Sequence, residues 1–456
     1  MDRQPIRRSW LFSFPTRTIT LSFAAVILVG TLLLMLPVSS RAGAFTPFLD
    51  CLFTATSSTC VTGLVVHDTY AYWSAFGQCV ILALIQIGGL GLVTLTTFFN
   101  IAIGRKLGLR GMHLAQESVA STGPDINQLM KVVMITALTV ETAGALLLAT
   151  VFVPEFGAEG IFISVFTSVS AFCNAGFDIF GRAEPYVSLT GYVGNPIVVG
   201  TVGLLIIVGG IGFIVIHDLL QYRRTKKLLL HTRIVIVSTV SLILVGMAFT
   251  AVCEWNNPFT LGGLSGTGER LGAAWFHSVS CRTAGFNVFP LEPMHDITKI
   301  LSSLLMFVGA APGSTGGGIK CTTFAVIFMT VYSVVRGDED TVIFRRKVEK
   351  SAVYKSLAVM ILGILAVTIT AACIVATMSG THAVTGVDAL FESVSAFATV
   401  GLSAGISAVA STLSRILLIF EMYIGRLGPV TFFLALAMRP TANRKEILPV
   451  GKIQIG

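Results

Sequence analysis

Four short phrases of similar sequence occur along the chain, and each ends in a glycine followed by a large apolar residue. They read FTATSSTCVTGL (53–64), FTSVSAFCNAGF (166–177), WFHSVSCRTAGF (275–286) and FESVSAFATVGL (391–402). Glycine adopts positive φ without steric penalty, so it lets backbone carbonyl oxygens point where side chains usually forbid. Rings of such oxygens replace the hydration shell of a cation. The four phrases therefore predict a cation site built from backbone oxygens.

Small polar side chains next to the glycines support this prediction. These side chains offer hydroxyl or amide groups and are small enough to leave room for a cation. They are Thr62, Asn174, Thr283 and Thr399. The third phrase is different, because its SVS lies one residue closer to the glycine. The short helix that precedes the third phrase should therefore enter the membrane in a different register or end earlier. Helix-packing seams also use small residues, but a seam does not explain why every phrase lies outside a predicted span.

Composition places the chain among polytopic membrane proteins. Of its 456 residues 54% are hydrophobic and 12% are charged, with a mean hydropathy of +0.83. Soluble domains carry about 25% charged residues. The net charge of +8 would suit a nucleic-acid partner, but the basic residues cluster in loops in a way that indicates membrane orientation, so no nucleic acid is expected.

Eight segments are long enough to cross a bilayer, which takes about 20 apolar residues. The second and sixth segments are longer than one straight crossing requires, so we expect each of them to be tilted, broken or extended beyond the bilayer. The fourth and eighth are ordinary in length, and only the sixth is conspicuously broken. The segments are 19–38, 73–104, 132–153, 196–216, 234–253, 300–335, 356–378 and 416–438.

A short apolar segment precedes each phrase, at 45–56, 160–172, 271–280 and 387–397. These segments are too short to span, which is typical of re-entrant helices. Their partly negative C-terminal ends would favour a cation. We expect an all-α polytopic membrane protein with four pseudo-symmetric membrane–pore-loop–membrane repeats around one central pore. The predicted repeats cover 16–104, 129–220, 233–335 and 352–438.

Lys and Arg concentrate on one predicted side of the membrane, and the positive-inside rule makes that side cytoplasmic. Both termini then lie in the cytoplasm, and the phrases face the outside. The loops are too small to form a ligand-sensing domain, so a gate would need a separate regulatory subunit. The cytoplasmic segments are 1–15, 105–128, 221–232, 336–351 and 439–456.

Two basic residues, Lys320 and Arg426, fall inside predicted spans. Ionisable residues at that depth are costly and indicate function. A fixed cation in a cation pathway is an electrostatic barrier, which suggests a gating role for Arg426. The alternative is an Arg426 paired with Glu421 or capped by backbone carbonyls.

The sixth span contains FVGAAPGSTGGGIK (307–320), whose proline and glycines prevent a continuous helix. Irregular backbone at membrane depth must be buried or line a cavity. Lys320 at its end would hold backbone carbonyls or Glu421. The stretch also resembles a phosphate-binding loop, but the spacing is wrong and no strand precedes it. The candidate functional residues of this stretch, together with the second basic residue, are Gly309, Pro312, Gly313, Ser314, Thr315, Gly316, Gly317, Gly318, Lys320 and Arg426.

Several motifs together resemble the TrkH/KtrB/HKT superfamily of potassium transporters. They are SVSAFCNAGF, SVSCRTAGFN, APGSTGGGIK and MYIGRLGPVT, and the resemblance extends from about residue 15 to about residue 440. Eight spans after a short N-terminus are more similar to the KtrB branch than to the TrkH branch.

The resemblance implies a selectivity filter in which backbone carbonyls bind a K⁺ ion. One glycine per loop implies less stringent selection than in a dedicated potassium channel, so that Rb⁺ and Na⁺ also enter. The loop 309–320 would obstruct the pore until it moves. The implied filter residues are Cys60, Val61, Thr62, Gly63, Cys173, Asn174, Ala175, Gly176, Arg282, Thr283, Ala284, Gly285, Ala398, Thr399, Val400 and Gly401.

The expected function is channel-like uptake of K⁺ across the bacterial inner membrane. The resemblance also implies a homodimer and a KtrA-like cytosolic subunit of the RCK type. That subunit would bind the adenine nucleotide, and this chain would carry no cofactor. Whether Na⁺ stimulates uptake stays open. The rival class is an alternating-access symporter, which usually shows inverted repeats and paired broken helices. No catalytic constellation suggests an enzyme.

Overall fold

The computed structural model describes residues 15–91, 94, 126–182, 184–378, 384–429 and 432. The expectations for the N-terminus before residue 15, for most of the loop 105–128 and for the tail 439–456 lie outside these residues. So do the far ends of the second and eighth predicted spans.

A long helix, a short helix and a second helix follow one another four times along the chain. We call these groups units one to four. Unit one comprises α1 (Pro15–Leu34), α2 (Phe48–Cys60), α3 (Thr69–Tyr72) and α4 (Ala75–Leu90). Unit two comprises α5 (Ile126–Phe156), α6 (Glu159–Phe172), α7 (Pro196–Gly210) and α8 (Phe213–Thr225).

Units three and four have the same order. Unit three comprises α9 (Leu230–Glu254), α10 (Thr267–Ser280), α11 (Asp296–Phe307) and α12 (Cys321–Arg336). Unit four comprises α13 (Lys350–Met378), α14 (Gly386–Phe397), α15 (Ile406–Val409) and α16 (Thr412–Leu427). An antiparallel hairpin of β1 (Val342–Ile343) and β2 (Arg346–Lys347) joins them, and 3-10 turns lie at Pro37–Ser39, Thr190–Tyr192 and Leu261–Gly263.

The four long helices α1, α5, α9 and α13 are long and apolar enough to cross a membrane. Each keeps large apolar side chains on its exposed face, such as Leu32, Leu146, Val252 and Ile361. A face of this kind is stable where lipid replaces water. The expectation of a mostly helical protein with several apolar spans is confirmed.

The second helices are shorter or bent where the sequence predicts continuous spans. The fourth predicted span is bent by 93° between α7 and α8. The expectation that only the sixth span is conspicuously broken is therefore wrong. A distant segment binds both sides of the bend: Ala311 donates its backbone N–H to the carbonyl of Gly210 at 3.0 Å, and Phe213 donates its N–H to the carbonyl of Gly313 at 3.0 Å.

The sixth predicted span is broken between α11 and α12, as the sequence predicts. Its irregular part, the loop 309–320, closes on itself at the base. Gly309 donates its N–H to Ile319 at 2.8 Å, and Cys321 donates to Ala310 at 3.2 Å. The two ends of the loop therefore lie side by side at a narrow neck.

The short helices α2, α6, α10 and α14 form the centre of the core. The phenylalanine at the start of each phrase is fully buried, at Phe53, Phe166, Phe276 and Phe391. A serine then ties three of these helices to the long helix of the same unit. Ser168 donates to the Glu141 carbonyl at 2.7 Å, Ser278 to Ile243 at 2.8 Å and Ser393 to Val367 at 2.9 Å.

Polar contacts join each unit to the next and close the four units into a ring. Tyr186 N–H donates to Asp68 at 2.8 Å, and Leu189 N–H donates to Asn287 at 3.0 Å. Lys299 pairs with Asp388 at 2.7 Å, and Arg415 pairs with Asp50 at 2.7 Å. The last pair joins unit four back to unit one.

This closing pair predicts the effect of Asp50→Asn. The Asp50 carboxylate binds Arg415 and also His67, at 3.1 Å, and the two paired side chains are only 12% and 20% exposed. Its loss leaves a poorly solvated Arg415, so we expect the free energy of unfolding to fall by about 2 kcal/mol. Thermal unfolding in detergent would measure the change.

The matched control is Asp340→Asn, which removes the carboxylate bound to Lys347 at 2.6 Å in the hairpin. That pair is 35% and 60% exposed, and exposed pairs contribute between about 0 and 1 kcal/mol. Equal shifts for the two variants would contradict a role for Asp50 in closing the ring of units.

Candidate functional site

The four phrases come together after the ends of the short helices, and their backbones have the same unusual conformation. The glycines have φ of 96° at Gly63, 69° at Gly176, 81° at Gly285 and 93° at Gly401. Two residues earlier, φ is again positive, at Val61, Asn174, Thr283 and Thr399. In the first phrase this position is the apolar Val61, and the polar Thr62 lies one residue nearer the glycine.

Each glycine contacts the carbonyl oxygen of the next loop, at the place where a side chain would stand. A Cβ atom at any of the four would lie within 2.7 Å of that oxygen. Real Cβ atoms do not approach oxygen so closely, so the ring accepts only glycine. The contacts run from Gly63 to Ala175, from Gly176 to Ala284, from Gly285 to Val400 and from Gly401 to Thr62.

A serine of each short helix holds its own loop. The hydroxyls of Ser57 and Ser395 accept the N–H of Gly63 and Gly401, both at 3.1 Å. The other two donate to the carbonyl after the glycine, Ser170 to Phe177 at 2.7 Å and Ser280 to Phe286 at 2.5 Å. The backbone of every loop is therefore fixed by its preceding helix.

The third loop accommodates its missing residue by a tighter turn. Ala284 donates its N–H to Ser280, four residues earlier, at 3.0 Å. In the other loops the equivalent N–H reaches five residues back, as from Ala175 to Ser170 at 2.7 Å. Helix α10 correspondingly ends five residues before Gly285, whereas α6 ends four residues before Gly176.

A second repeated pattern, which our sequence-based prediction missed, lies in the second helices. It reads IGGLG (87–91), VGGIG (208–212) and IGRLG (424–428). A Cβ at the first glycine of each would overlap a backbone carbonyl of a short helix, at Thr59, Phe172 and Phe397 respectively. The last glycine of each, Gly91, Gly212 and Gly428, has positive φ where the helix stops. The pattern thus brings these helices against the ring and ends them there.

The loop 309–320 packs directly against the filter loops of units two, three and four. Thr315 donates its hydroxyl to the Phe172 carbonyl at 3.1 Å. Side chains could not be added at the tip of the loop, because a Cβ would overlap filter residues. Gly316 faces Thr283, Gly317 faces Thr399 and Gly318 faces Ala398.

The two intramembrane cations bind carbonyl oxygens around this loop. Lys320 Nζ donates to Gly316 at 2.7 Å and to Gly317 at 3.4 Å. The Arg426 guanidinium donates to the carbonyls of Thr315 and Gly88, and to Gly89 at 3.1 Å. The sequence left open whether these cations pair with Glu421 or are capped by backbone carbonyls. Both are capped by backbone carbonyls.

Two buried glutamates lie behind the filter loops and do not pair with these cations. Glu421 accepts the Ser393 hydroxyl at 2.9 and 3.1 Å. Glu141 accepts the amide of Gln86 at 3.1 and 3.2 Å and the thiol of Cys173. Because these partners are neutral, the glutamates stabilise the packing around the loops without cancelling the positive charges.

On the other side of the ring lies a cavity of about 520 Å³, which we call the vestibule. The four filter glycines form its floor. Four acidic residues, Asp68, Asp178, Glu184 and Glu292, line it, and no Lys or Arg is among the described residues of its lining. The sequence-based prediction missed this group, although all four acids lie within eight residues of a phrase glycine.

Asp178 is half-buried in the vestibule wall, two residues beyond Gly176. Burial raises the pKa of its carboxyl to about 7, and the charge of Asp68 adds to the rise. The N–H of Phe180, which binds Asp178 at 3.2 Å, acts in the opposite direction. The vestibule therefore changes its negative charge around neutral pH.

Known proteins resemble the chain over nearly its whole length. The potassium uptake protein B of the Ktr system from Bacillus subtilis is 38% identical, covering 98% of each chain. The Ktr protein B of Vibrio alginolyticus is 39% identical over 92% of this chain and 91% of that relative. The potassium/sodium uptake protein NtpJ of Enterococcus hirae is 36% identical over 95% of this chain and 94% of that relative.

The fold is similar to the crystal structure of the potassium transporter TrkH from Vibrio parahaemolyticus. The TM-score is 0.70 at 17% identity, covering 95% of this chain and 87% of that one. Residues 11–447 also match the family described as TrkH, cation transport protein. The resemblance expected from the motifs is confirmed: the chain is a membrane protein of the TrkH family of cation transport proteins, and not an enzyme.

Proposed function

We propose that this chain forms a channel-like pathway for K⁺ uptake, with the four filter loops as its selectivity filter. The contact of each glycine with the carbonyl of the next loop carries the proposal. It sets carbonyl oxygens from four sides around one axis, all supplied by a single chain. Oxygens in that arrangement replace the water around a monovalent cation. The four units then act as pseudo-symmetric repeats around one pore.

Hydroxyl groups at the ring support the assignment. The Thr62 and Thr399 hydroxyls are buried, and neither has a hydrogen-bond partner among the described residues. A buried hydroxyl without a partner is costly in a native protein. A cation on the axis would provide the electrostatic partner that these oxygens lack.

The choice of K⁺ follows from the relatives. Two are named as potassium uptake proteins and a third as a potassium/sodium uptake protein. One glycine per loop fixes fewer carbonyls than two would. We therefore propose a preference for K⁺ that still admits Rb⁺ and Na⁺.

The loop 309–320 is proposed as the gate. It blocks the side of the ring opposite the vestibule, and its carbonyls are held by Lys320 and Arg426. These fixed cations repel a permeating ion at that point. Opening would require Lys320 and Arg426 to release the loop.

We propose that the vestibule faces the outside of the bacterial inner membrane and that both termini are cytoplasmic. Kinship with Ktr proteins supports a partner subunit. A cytosolic subunit of the RCK type that binds adenine nucleotide would control the gate. Two copies of the chain, each with its own pore, would form the membrane part. The limits of the four repeats and of the cytoplasmic segments that the sequence predicts are part of this proposal.

An alternating-access symporter is the second candidate, and the bent pair α7–α8 favours it. Together with α11–α12 it gives two broken spans, as that class shows. Against it, the described units share one order of elements. Single-channel recording from the purified chain separates the two classes, because only a channel passes many ions per opening.

The filter assignment predicts the effect of Gly176→Ser and Gly401→Ser. Each added side chain would collide with a carbonyl oxygen of the neighbouring loop and displace it from the ring. In a bacterial host that cannot take up K⁺, both variants should raise the K⁺ concentration needed for growth at least about tenfold. A tenfold change corresponds to a loss of about 1.4 kcal/mol in the free energy of ion binding.

The matched control is Gly272→Ser, since a Cβ on this residue of α10 meets nothing within 4 Å. It should support growth like the unaltered chain. Unaltered growth with both filter variants, at equal protein levels in the membrane, would contradict the filter assignment.

The gate assignment predicts that deleting Ser314–Gly317 increases flux in the absence of any partner. The deletion removes the tip of the loop that packs on the filter and two carbonyls that bind Lys320. Rb⁺ uptake into liposomes containing the purified chain alone would measure the change. Equal uptake with and without the deletion would argue against an obstructing loop.

The vestibule predicts a dependence of uptake on outer pH. Because the pKa of Asp178 is raised to about 7, its carboxyl is charged above that pH and neutral below it. A negative vestibule concentrates cations, so the KM for K⁺ should rise as the outer pH falls from about 8 to about 6, across the Asp178 pKa.

Asp178→Asn should keep the high KM across this range and abolish the pH effect. Glu292→Gln removes a charge from the same cavity but leaves Asp178 in place, so its pH effect should persist. A pH dependence that survives in Asp178→Asn would exclude this carboxyl as its source.

A further inference from the structure

Arg282 is an exception among four equivalent filter positions. The other three loops have small uncharged residues there, Cys60, Cys173 and Ala398, whereas the third has an arginine that is only 6% exposed. A buried guanidinium costs free energy unless its donors are bonded. None of the ion pairs among the described residues involves Arg282. Its side chain must therefore be held by neutral groups.

Those neutral groups lie at the two ends of the loop 309–320. Arg282 Nη1 donates to the Val308 carbonyl at 3.5 Å, and the buried guanidinium lies beside the thiol of Cys321. Val308 directly precedes the loop, and Cys321 directly follows it. Because Val308 also forms a parallel bridge with Ile319, the arginine lies across the neck where the two ends meet.

The neighbouring residue contacts the opposite end of the same loop. A Cβ at Gly316 would overlap the Thr283 hydroxyl, so Thr283 touches the tip while Arg282 spans the neck. Loops two and four contact the loop between residues 315 and 318. The third filter loop contacts the tip through Thr283 and the neck through Arg282.

We propose that Arg282 is a positioning residue that couples the loop 309–320 to the selectivity filter. The inference rests on the proposed function. When the neck is closed, the hydrogen bond to Val308 and the contact with Cys321 fix the backbone of residues 282–284 and hold their carbonyls in the ring. When the neck spreads, Val308 and Cys321 separate and the third filter loop shifts. Movement of the loop therefore changes ion selectivity as well as access.

The test is a double-mutant cycle with Arg282→Met and Cys321→Ala in the purified full-length chain in liposomes. Arg282→Met keeps the length of the side chain without its donors, and Cys321→Ala changes only the neck. The readout is K⁺ preference. We define it as the Na⁺ concentration that halves Rb⁺ uptake, divided by the K⁺ concentration that halves Rb⁺ uptake. A role confined to folding would alter the amount of active protein and leave this ratio unchanged.

Both single variants should lower the K⁺ preference, Arg282→Met by at least about threefold, as expected for a lost hydrogen bond. The double variant should lower it no further than Arg282→Met, because both act through one contact. Cys51→Ala, which removes a buried thiol of α2, should leave the ratio unchanged. If Arg282→Met does not fold, Arg282→Lys replaces it in the cycle.

An unchanged ratio in Cys321→Ala, or effects of the two variants that multiply, would overturn the coupling. This failure is distinguishable from failure of the proposed function. If the proposed function is wrong, the unaltered chain takes up no Rb⁺. If only the coupling is wrong, the unaltered chain takes up Rb⁺ with its normal K⁺ preference.

Discussion

The structure depends on a steric constraint at its centre: four glycines stand against four carbonyl oxygens, and no side chain fits between them. Loops that approach so closely must leave their helices at matching depths, which the serine contacts of the four short helices secure. The second helices must also come close, and glycines at 88, 209 and 425 allow it. Ion pairs between units then close the ring.

Fixed charges give the two sides of the ring opposite character. The vestibule side has carboxylates and no Lys or Arg among the described residues of its lining, whereas the loop 309–320 is bound by Lys320 and Arg426. A cation is thus attracted to one side and repelled at the other while the loop is in place. Carbonyls of residues 315–317 cap the two cations and so stabilise the loop, and release of the loop under the proposed gating would break these contacts.

Much of this arrangement is predictable from local sequence, because the phrases, short helices and broken sixth span have their own glycine, proline and length signals. The bend at Ile211 and Gly212 was not predicted, since hydropathy registers VGGIG as continuous apolar helix. The two sides of the bend bind Ala311 and Gly313, about a hundred residues away in the chain, and local sequence does not reveal such contacts.

Crystallography with Rb⁺ in place of K⁺ tests the central claim most directly, because anomalous scattering locates that ion without reference to the protein. We expect an anomalous peak on the axis between residues 60–63, 173–176, 282–285 and 398–401 of a single chain. Carbonyl oxygens from all four loops should surround it. A ring without a peak, or a peak bounded by fewer loops or by two different chains, would contradict a filter that one chain supplies from four sides.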